Sequence, residues 1–480
     1  MYKSLSKRSW LSPSAIIFTF DCIAFVVAFI FSVCFWNVNF KGAELSFHDL
    51  SGAVGLARLV ICIVLVVFAI ILLSVHYHHY GWRKPFWGQL RELWQLIIIV
   101  AILDLAITSI AKLVFSRGMW LTLWLSLSII MPLFRWVAII ISSRLGCWSV
   151  SCVIIGCGEH AKGFYQALKC ERLMGLEVVA FIPPDHDKQN SPVDHIPVWE
   201  MNKAQVADQF RDCKLYVAVE PEQIKVGDDW IRHLIMRGVR NVSIVPPMQG
   251  IPLHDTDMSY FFSHQLLSFQ LRNNLNHLSS RIIKRCFDIV VSFILLLLLS
   301  PVMMLLSWWV ARDGGAILFG HKRVGHQGEI FSCLKFRTMV PDADSVLASL
   351  LANNEQARIE WSTEFKLKVD PRITPLGSFL RRSSLDELPQ LWNVLKGEMS
   401  LVGPRPIIED ELKLYGEDAQ YYLMAKPGIT GLWQISGRND VNYATRVLMD
   451  SWYVKNWSLW YDVSILLKTI NVVFHRDGAY

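Results

Sequence analysis

The stretch Ile289–Val310 reads IVVSFILLLLLSPVMMLLSWWV and is long and apolar enough to cross a bilayer. At its centre, Pro301 removes the backbone hydrogen bond to Leu297 and clashes with the preceding turn. We predict a sharp helix break at Ser300 and Pro301, with the Ser300 hydroxyl satisfying the freed carbonyl. A segment bent in this way can leave the membrane by the leaflet through which it entered, whereas a kinked ordinary span would cross.

Basic residues flank both ends of this stretch, with Arg281, Lys284 and Arg285 before it and Arg312, Lys322 and Arg323 after it. Basic residues mark the cytoplasmic ends of membrane segments, which favours a cytoplasmic location for both ends. The residues alone leave the dipping segment and the kinked span open as alternatives.

The composition bounds the class of protein. The 480 residues are 53% hydrophobic with a net charge of +6, which indicates a membrane protein of two or three domains. The positive charge suggests an anionic membrane surface and phosphate ligands rather than nucleic acid. The ten cysteines show no metal-ligand spacing and are expected to be reduced.

Four apolar runs open the chain, near residues 15–36, 54–76, 93–115 and 119–141. Each is close to the ~20 residues that a spanning helix requires. The basic residues around them place both ends of this four-helix transmembrane bundle in the cytoplasm. Asp21 and Asp104 lie inside spans, where an interhelical hydrogen bond or a snorkelled end is the plainer interpretation and a functional role the alternative.

Residues 149 to about 270 predict a Rossmann-like βαβ module with a parallel sheet. The predicted strands are Val150–Ile155, Leu176–Ile182, Leu215–Val219 and Val242–Val245. Gly156 and Gly158 form a G-x-G-x-x-A turn after the first strand, a weak sign of a nucleotide site because no well-spaced acid follows the second strand. A scaffold or dimerisation module is the favoured alternative.

The run Arg381–Gln390, RRSSLDELPQ, sets two adjacent acids beside two guanidinium groups. Pro389 is tolerated only in a first helical turn, so we predict a helix that begins near Ser384 or Asp386, with Ser384 and Glu387 in capping-box spacing. Adjacent helical residues diverge by about 100°, so the two acids are expected to take different roles. Free N–H groups at such a helix start would favour a phosphate.

Further motifs surround this pair of acids, namely Lys335–Met339 (KFRTM), Gly403–Pro406 (GPRP), Pro427–Gly431 (PGITG) and Gly437–Asp440 (GRND). Through these motifs the chain resembles the bacterial sugar transferases, polyprenol-phosphate hexose-1-phosphate transferases with a membrane-dipping catalytic domain. The resemblance covers about residues 281–480, and the preceding bundle and Rossmann-like module match the long form of the family.

The resemblance implies three domains: a four-helix transmembrane bundle (1–145), a Rossmann-like cytoplasmic α/β domain (146–275) and a monotopic catalytic domain (276–480). Its Ser-Pro motif matches Ser300 and Pro301, which favours a re-entrant helix at about 281–311. Trp452, Trp457 and Trp460 are expected to lie on the same membrane surface.

The resemblance also assigns roles to residues. Asp386 is expected to be the nucleophile that forms a covalent phosphosugar intermediate, and Glu387 the ligand of Mg²⁺. The residues expected to contact phosphate are Arg381, Arg405 and Arg438, with Lys335 and Arg337 assisting.

The implied substrates are a UDP-hexose and undecaprenyl phosphate, with galactose favoured over glucose and UMP released. The implied location is the bacterial inner membrane, with the catalytic domain on the cytoplasmic face and a homodimer as the assembly. Two other classes compete with this interpretation. A nucleotide-sugar dehydratase or epimerase would use Tyr422 and Lys426, which have Tyr-x-x-x-Lys spacing, and a non-catalytic assembly scaffold would need no acids beside arginines.

Overall fold

The computed structural model divides into two compact units, Met1–Met248 and Gln249–Tyr480. It describes residues 12–39, 53–81, 83–112, 116–185, 191–210, 213–239, 241–248, 257–261, 266–270, 275, 277–355, 358, 370–436 and 442–475.

The first unit opens with four long helices, α1 (Pro13–Asn39), α2 (Ala53–Ile71), α3 (Phe86–Ile110) and α4 (Arg117–Arg144). They confirm the four predicted apolar helices, although α3 begins and ends several residues earlier than its apolar run suggested. Each has the length and apolar composition of a membrane span. Their shared core is built from small and branched residues such as Ala28, Leu96 and Leu127.

The acids inside these helices are paired. Asp21 on α1 accepts hydrogen bonds of 2.8 and 2.6 Å from the guanidinium of Arg135 on α4. Asp104 on α3 accepts bonds from Arg58 on α2, at 3.3 Å, and from the indole of Trp124, at 3.1 Å. The predicted interhelical hydrogen bonds are therefore present, and burial of each charge beside an opposite charge limits the cost of placing it in an apolar bundle.

A parallel sheet follows, with strand order β2-β1-β3-β4. Its strands are β1 (Val150–Ile155), β2 (Leu176–Ile182), β3 (Lys214–Val217) and β4 (Val242–Ile244), and its helices are α5 (Glu159–Cys170), α6 (Lys203–Gln209) and α7 (Ile224–Met236). The sheet confirms the predicted βαβ pattern, because parallel neighbours need a crossover helix between them.

The second unit begins with the antiparallel pair β5 (Asp257–Phe261) and β6 (Leu266–Gln270), followed by α8 (Leu278–Val310). Helix α8 is also long and apolar enough to span a membrane. One face of α8 is buried within the unit at Lys284, Asp288, Ser292, Leu306 and Val310. The opposite face is apolar and exposed, for example at Phe293, Leu297 and Leu305. Helix α8 thus has an inward face that belongs to the core and an outward face suited to lipid.

The helical conformation of α8 continues through Pro301, so the predicted break does not end the helix, and the bend expected there stays a prediction. The Ser300 hydroxyl donates a hydrogen bond of 2.8 Å to the Leu297 carbonyl, as predicted. Since that carbonyl has lost its usual backbone partner to the proline, the side-chain bond helps the helix to continue.

The remainder of the unit packs against the inward face of α8. Its strands are β7 (Leu318–Val324) and β8 (Ile330–Phe336), which form an antiparallel hairpin, and β9 (Ser400–Val402) and β10 (Gly428–Thr430), which pair in parallel. Its helices are α9 (Ala343–Asn353), α10 (Pro375–Ser383), α11 (Gln390–Lys396), α12 (Glu409–Leu412), α13 (Ala419–Met424), α14 (Leu432–Ile435), α15 (Tyr443–Lys455) and α16 (Leu459–His475).

One residue of the predicted membrane-surface segment, Trp457, lies in the core instead. Trp457 is only 3% exposed, and its indole donates to Asp462 at 3.0 Å. Asp462 also accepts a 2.7 Å bond from the ammonium of Lys284, on the inward face of α8. Helix α16 is therefore attached to the core by a buried ion pair, which amphipathic spacing alone could not distinguish from a surface position.

Candidate active site

The two adjacent acids lie in a 3₁₀ turn, Leu385–Glu387, between α10 and α11. The predicted capping box is wrong: Ser384 ends α10 in a left-handed conformation, with φ of 55°, and its side chain caps no helix. Helix α11 begins at Gln390 with Pro389 as its N-cap, so both acids precede the helix. The two neighbouring acids therefore lie in a tight turn rather than at a helix start.

Lys335 on β8 connects the two acids. Its ammonium lies 2.6 Å from Oε1 of Glu387 and 3.6 Å from Oδ2 of Asp386. The Asp386 side chain is largely buried, whereas that of Glu387 is about one-third exposed, at 33%. The more buried acid is thus held beside one cation, while the other carboxylate retains access to solvent.

Burial sets the electrostatics of this pair. Burial raises the pKa of the Asp386 carboxyl above its ordinary value, although the Lys335 charge opposes the rise. Burial acts to lower the pKa of Lys335, but the two carboxylates outweigh it and the pKa lies above the ordinary lysine value. Lys335 therefore remains a cation and stabilises the ionised form of Asp386.

The other residues of the KFRTM motif also line the site. Arg381 on α10 donates from Nε to the Thr338 hydroxyl at 2.9 Å, which leaves the outer guanidinium nitrogens directed away from that bond. Arg337 donates from Nη2 to the carbonyl of Val310, the last residue of α8, at 3.0 Å. The motif therefore joins the acid-bearing turn to the end of α8.

The glycine motifs place Arg405 by close backbone approach. Strands β9 and β10 run side by side, and Gly403 N–H donates to Thr430 O at 3.0 Å. A Cβ at Gly403 would lie 2.4 Å from the Lys426 carbonyl oxygen, and a Cβ at Gly428 would lie 2.1 Å from the Gly403 nitrogen. Only glycine permits so close an approach of the two backbones at Gly403 and Gly428. Arg405 lies two residues after Gly403, so this approach fixes its position.

A cavity of about 680 Å³ collects these groups. Six cationic side chains line it beside the two acids, namely Arg323, Lys335, Arg337, Arg372, Arg381 and Arg405. The structure thus brings together Asp386, Glu387 and every predicted phosphate-contacting residue except Arg438, which lies outside the described residues. A site with this excess of positive charge suits a diphosphate.

Sequence reasoning missed two residues that line the cavity, Arg323 and Arg372, and one acid beside Arg405, Asp450. Arg323 comes from the end of β7, and Arg372 forms a bidentate pair with Asp370 before α10. Asp450 on α15 accepts a 2.9 Å bond from the Tyr415 hydroxyl and interacts with the Arg405 backbone. Burial raises the pKa of Asp450 to about 7. None of the three belongs to a motif near the acids.

Enzymes that act on diphosphates usually bind Mg²⁺ through one or two carboxylates, and phosphate and water supply the remaining ligands. The two acids of this site suit that kind of coordination. Within the described part of the chain, no group of three or more His, Cys, Asp and Glu residues is arranged to hold a metal ion. A divalent cation here would therefore depend on substrate oxygens in addition to Glu387.

The glycine turn of the Rossmann-like module is occupied by a side chain of the protein itself, the carboxyl group of Glu220. Oε1 of Glu220 accepts a 2.8 Å hydrogen bond from the backbone N–H of His160, in the first turn of α5. A nucleotide phosphate would use the same N–H groups. The His160 ring in turn bonds the Val245 carbonyl at 3.0 Å. The turn is therefore closed by the protein's own residues, which favours the scaffold interpretation.

We expect alanine to destabilise the module strongly at one glycine of this turn and only modestly at the other. A Cβ at Gly156, where φ is +140°, would meet the Ala218 carbonyl oxygen at 2.0 Å, so Gly156→Ala should strongly destabilise the module. A Cβ at Gly158 would meet only the flexible end of Glu220, at 2.1 Å, so Gly158→Ala should lower the melting temperature modestly and leave kinetic constants unchanged. Thermal denaturation and steady-state kinetics of both variants test this; a loss of turnover in folded Gly158→Ala protein would contradict it.

Comparison with known proteins gives the site a context. The family described as Bacterial sugar transferase matches residues 279–476, which include the whole cavity. A Salmonella typhimurium protein named undecaprenyl-phosphate galactose phosphotransferase is 47% identical over 413 residues, which cover 85% of each chain. The chain belongs to the bacterial sugar transferase family.

Other members of the bacterial sugar transferase family differ in length. An Erwinia amylovora protein named UDP-galactose-lipid carrier transferase is 47% identical over 406 residues, 85% of each chain. The exopolysaccharide production protein ExoY of Sinorhizobium fredii is 54% identical over 200 residues, which are 42% of this chain and 88% of that protein. This short relative therefore matches less than half of this chain, at a higher identity than the two long relatives.

Proposed function

We propose that this protein transfers galactose 1-phosphate from UDP-galactose to undecaprenyl phosphate, releasing UMP, in the membrane stage of polysaccharide synthesis. The observation that carries the proposal is the cavity in which Asp386 and Glu387 face six cationic side chains. The two long relatives named for galactose transfer to a lipid carrier support the choice of sugar and acceptor.

The transfer proceeds in two displacements. A carboxylate oxygen of Asp386 attacks the phosphorus that bears the sugar, and the bond from that phosphorus to the UMP oxygen breaks with its electron pair on UMP. An oxygen of the lipid phosphate then attacks the same phosphorus, and the acyl phosphate bond to Asp386 breaks. One phosphoanhydride replaces another, so consumption of the lipid product must draw the reaction forward.

The cations divide the work of stabilising phosphate charge. Lys335 keeps Asp386 ionised, and Arg381, held by Thr338, presents its guanidinium to the attacked phosphate. Arg405 and Arg438 are proposed to contact the remaining phosphate oxygens. Glu387 would hold Mg²⁺, which neutralises diphosphate charge when bound.

The competing interpretations fit less well. Tyr422 is buried and its hydroxyl donates to the Val324 carbonyl at 2.8 Å, so it is a core residue rather than the tyrosine of a dehydratase or epimerase. A scaffold would have no use for a cavity with paired acids beside six cations. Transfer of glucose 1-phosphate, by the same mechanism and within the same family, remains the alternative to transfer of galactose 1-phosphate.

An assay of UMP release tests the proposal. Purified protein with undecaprenyl phosphate and Mg²⁺ is offered UDP-galactose, UDP-glucose and other UDP-hexoses in parallel. UMP formation with UDP-galactose well above that with UDP-glucose is expected. UMP release from UDP-glucose alone would assign glucose as the transferred sugar. UMP release from none of the UDP-hexoses would contradict the proposed activity.

We also infer that α8 dips into the membrane and returns to the cytoplasmic face. Lys284 near its start bonds Val402 O and Asp462, and the Val310 carbonyl at its end accepts from Arg337, so both ends contact the same unit. A crossing helix would separate its two ends by the bilayer. The UDP-sugar and the acids are then in one compartment. The bundle would anchor the protein in the inner membrane, and we propose that the protein is a homodimer, partly through the Rossmann-like module.

Single cysteines on either side of α8 test this topology. In a background without the native cysteines, Ser279→Cys and Arg312→Cys should both resist an impermeant thiol reagent in intact cells and react after permeabilisation. Ala111→Cys, at the predicted outer end of α3, is the matched control and should react in intact cells. Labelling of Arg312→Cys in intact cells would show that α8 crosses.

A further inference from the structure

A second cavity, of about 400 Å³, lies beside the first turns of α8. None of its lining residues lines the cavity of Asp386 and Glu387. Five basic side chains line it together with one acid, Asp288; they are Arg281, Lys284, Arg285, His326 and Lys426.

Two of these cations already have partners. Lys284 pairs with Asp462 at 2.7 Å, and Arg285 donates to the carbonyls of Val394 and Leu395 at 2.6 and 2.7 Å. Among the described residues, neither the guanidinium of Arg281 nor the ammonium of Lys426 has a hydrogen bond or ion pair. Asp288 is itself engaged, since it accepts from the Ser400 hydroxyl and the Leu401 N–H, both at 3.1 Å. The cavity therefore retains uncompensated positive charge.

The charges in this cavity repel one another. Burial lowers the pKa of Lys426, and the charges of Arg285, Arg281 and Lys284 lower it further against the opposing effect of Asp288. Burial also lowers the pKa of His326, with Lys426 and Arg281 adding to the effect and Glu329 opposing it. A bound anion would relieve this repulsion, as phosphate does in other clusters of basic residues.

The rim of the cavity is apolar. Leu278 and Ile282, one helical turn apart on α8, are 71% and 53% exposed. The outward face continues from them along α8 through exposed residues such as Val290 and Phe293. An anion bound here would thus lie at the head of a continuous apolar surface, and this combination of charge and apolar surface suits a lipid with an anionic head group.

We propose that this cavity binds the phosphate of an anionic membrane phospholipid, with the acyl chains along the outward face of α8. A phosphate bound among Arg281 and Lys426 lies in a different cavity from the acids, so we assign the site to a resident lipid and not to the acceptor of the transfer. The lipid would fix the start of α8 at the membrane surface.

Lipid binding to the purified full-length protein tests the proposal. Phosphatidylglycerol or phosphatidylcholine is titrated into non-ionic detergent micelles, and bound lipid is measured by native mass spectrometry and by melting temperature. Wild-type protein should bind phosphatidylglycerol selectively. Arg281→Gln/Lys426→Gln should bind it about thirtyfold more weakly, since each cation near a membrane surface contributes a factor of about five. The matched control Lys413→Gln removes a lysine that is 79% exposed in an ion pair with Asp410, and should bind as wild type.

The remaining arms separate the sources of phosphate. Arg281→Gln alone changes an exposed side chain, so it should fold even if the double variant does not, and about fivefold weaker binding is expected. Equal binding by wild type and Arg281→Gln would overturn the proposal. A melting shift from inorganic phosphate alone would identify a free-anion site instead, and displacement of phosphatidylglycerol by undecaprenyl phosphate at equal concentration would identify an acceptor site; either result would overturn the assignment to a resident lipid.

Discussion

Asp386→Asn should lower turnover by about three orders of magnitude or more while the protein remains folded, because an amide cannot form the acyl phosphate. The side chain keeps its size in a largely buried position, so no cavity or steric clash contributes to the loss. UMP release from UDP-galactose is the measurement. Glu387→Gln should also lose its metal-dependent activity, since it removes the carboxylate that would hold Mg²⁺.

Two further measurements make the test of Asp386 specific. Wild-type protein given UDP-galactose without lipid acceptor should gain one sugar phosphate in mass, and Asp386→Asn should gain none. Asp410→Asn, a change at an acid 82% exposed, is the matched control and should react normally. Near-normal UMP release by Asp386→Asn, or a wild type that cannot be trapped, would contradict the covalent mechanism.

Lys335→Met should lower kcat/KM at neutral pH by about a hundredfold, because it removes the one cation within 4 Å of both acids in the described structure. The same change should alter the pH profile. Burial already raises the pKa of Asp386 and the Lys335 charge opposes that rise, so loss of the lysine raises this pKa further. Since the nucleophile is the ionised form, the acid limb of kcat/KM should move to higher pH.

Two lysine variants control this prediction. Lys335→Arg keeps the charge, and should leave the acid limb close to its wild-type position. Lys396→Met removes a lysine that is 63% exposed and pairs with Glu398, and should change neither rate nor profile. An acid limb that stays in place in Lys335→Met, or moves to lower pH, would show that Asp386 does not titrate as proposed.

Local patterns predicted the elements of this protein better than the connections between them. Apolar run length located α1 to α4, and strand-like runs located β1 to β4, because both signals depend on neighbouring residues. The adjacent acids suggested a helix start, yet Ser384 adopts a left-handed conformation that ends α10. A serine in the sequence does not predict a left-handed backbone conformation, because the surrounding packing imposes it.

The site could be predicted from sequence where its residues belong to motifs. Asp386, Glu387, Lys335, Arg337, Arg381 and Arg405 all line the cavity as expected. Arg323 and Asp450 could not have been found in this way, because tertiary packing brings them to the site from separate elements. The same limit applies to Arg135, which lies inside a predicted span and is paired with Asp21, 114 residues away in the chain.

The two-faced character of α8 bears on how the enzyme matures. Residues of the inward face complete the cores that surround Phe336 and Val394, so the segments synthesised after α8 cannot finish folding until that helix is in place. From Ile289 to Trp309 the exposed large side chains of the outward face are apolar and have no favourable partner in water. We therefore expect delivery of α8 to a bilayer to precede assembly of the acid-bearing turn, and a chain whose α8 fails to reach the membrane to remain inactive.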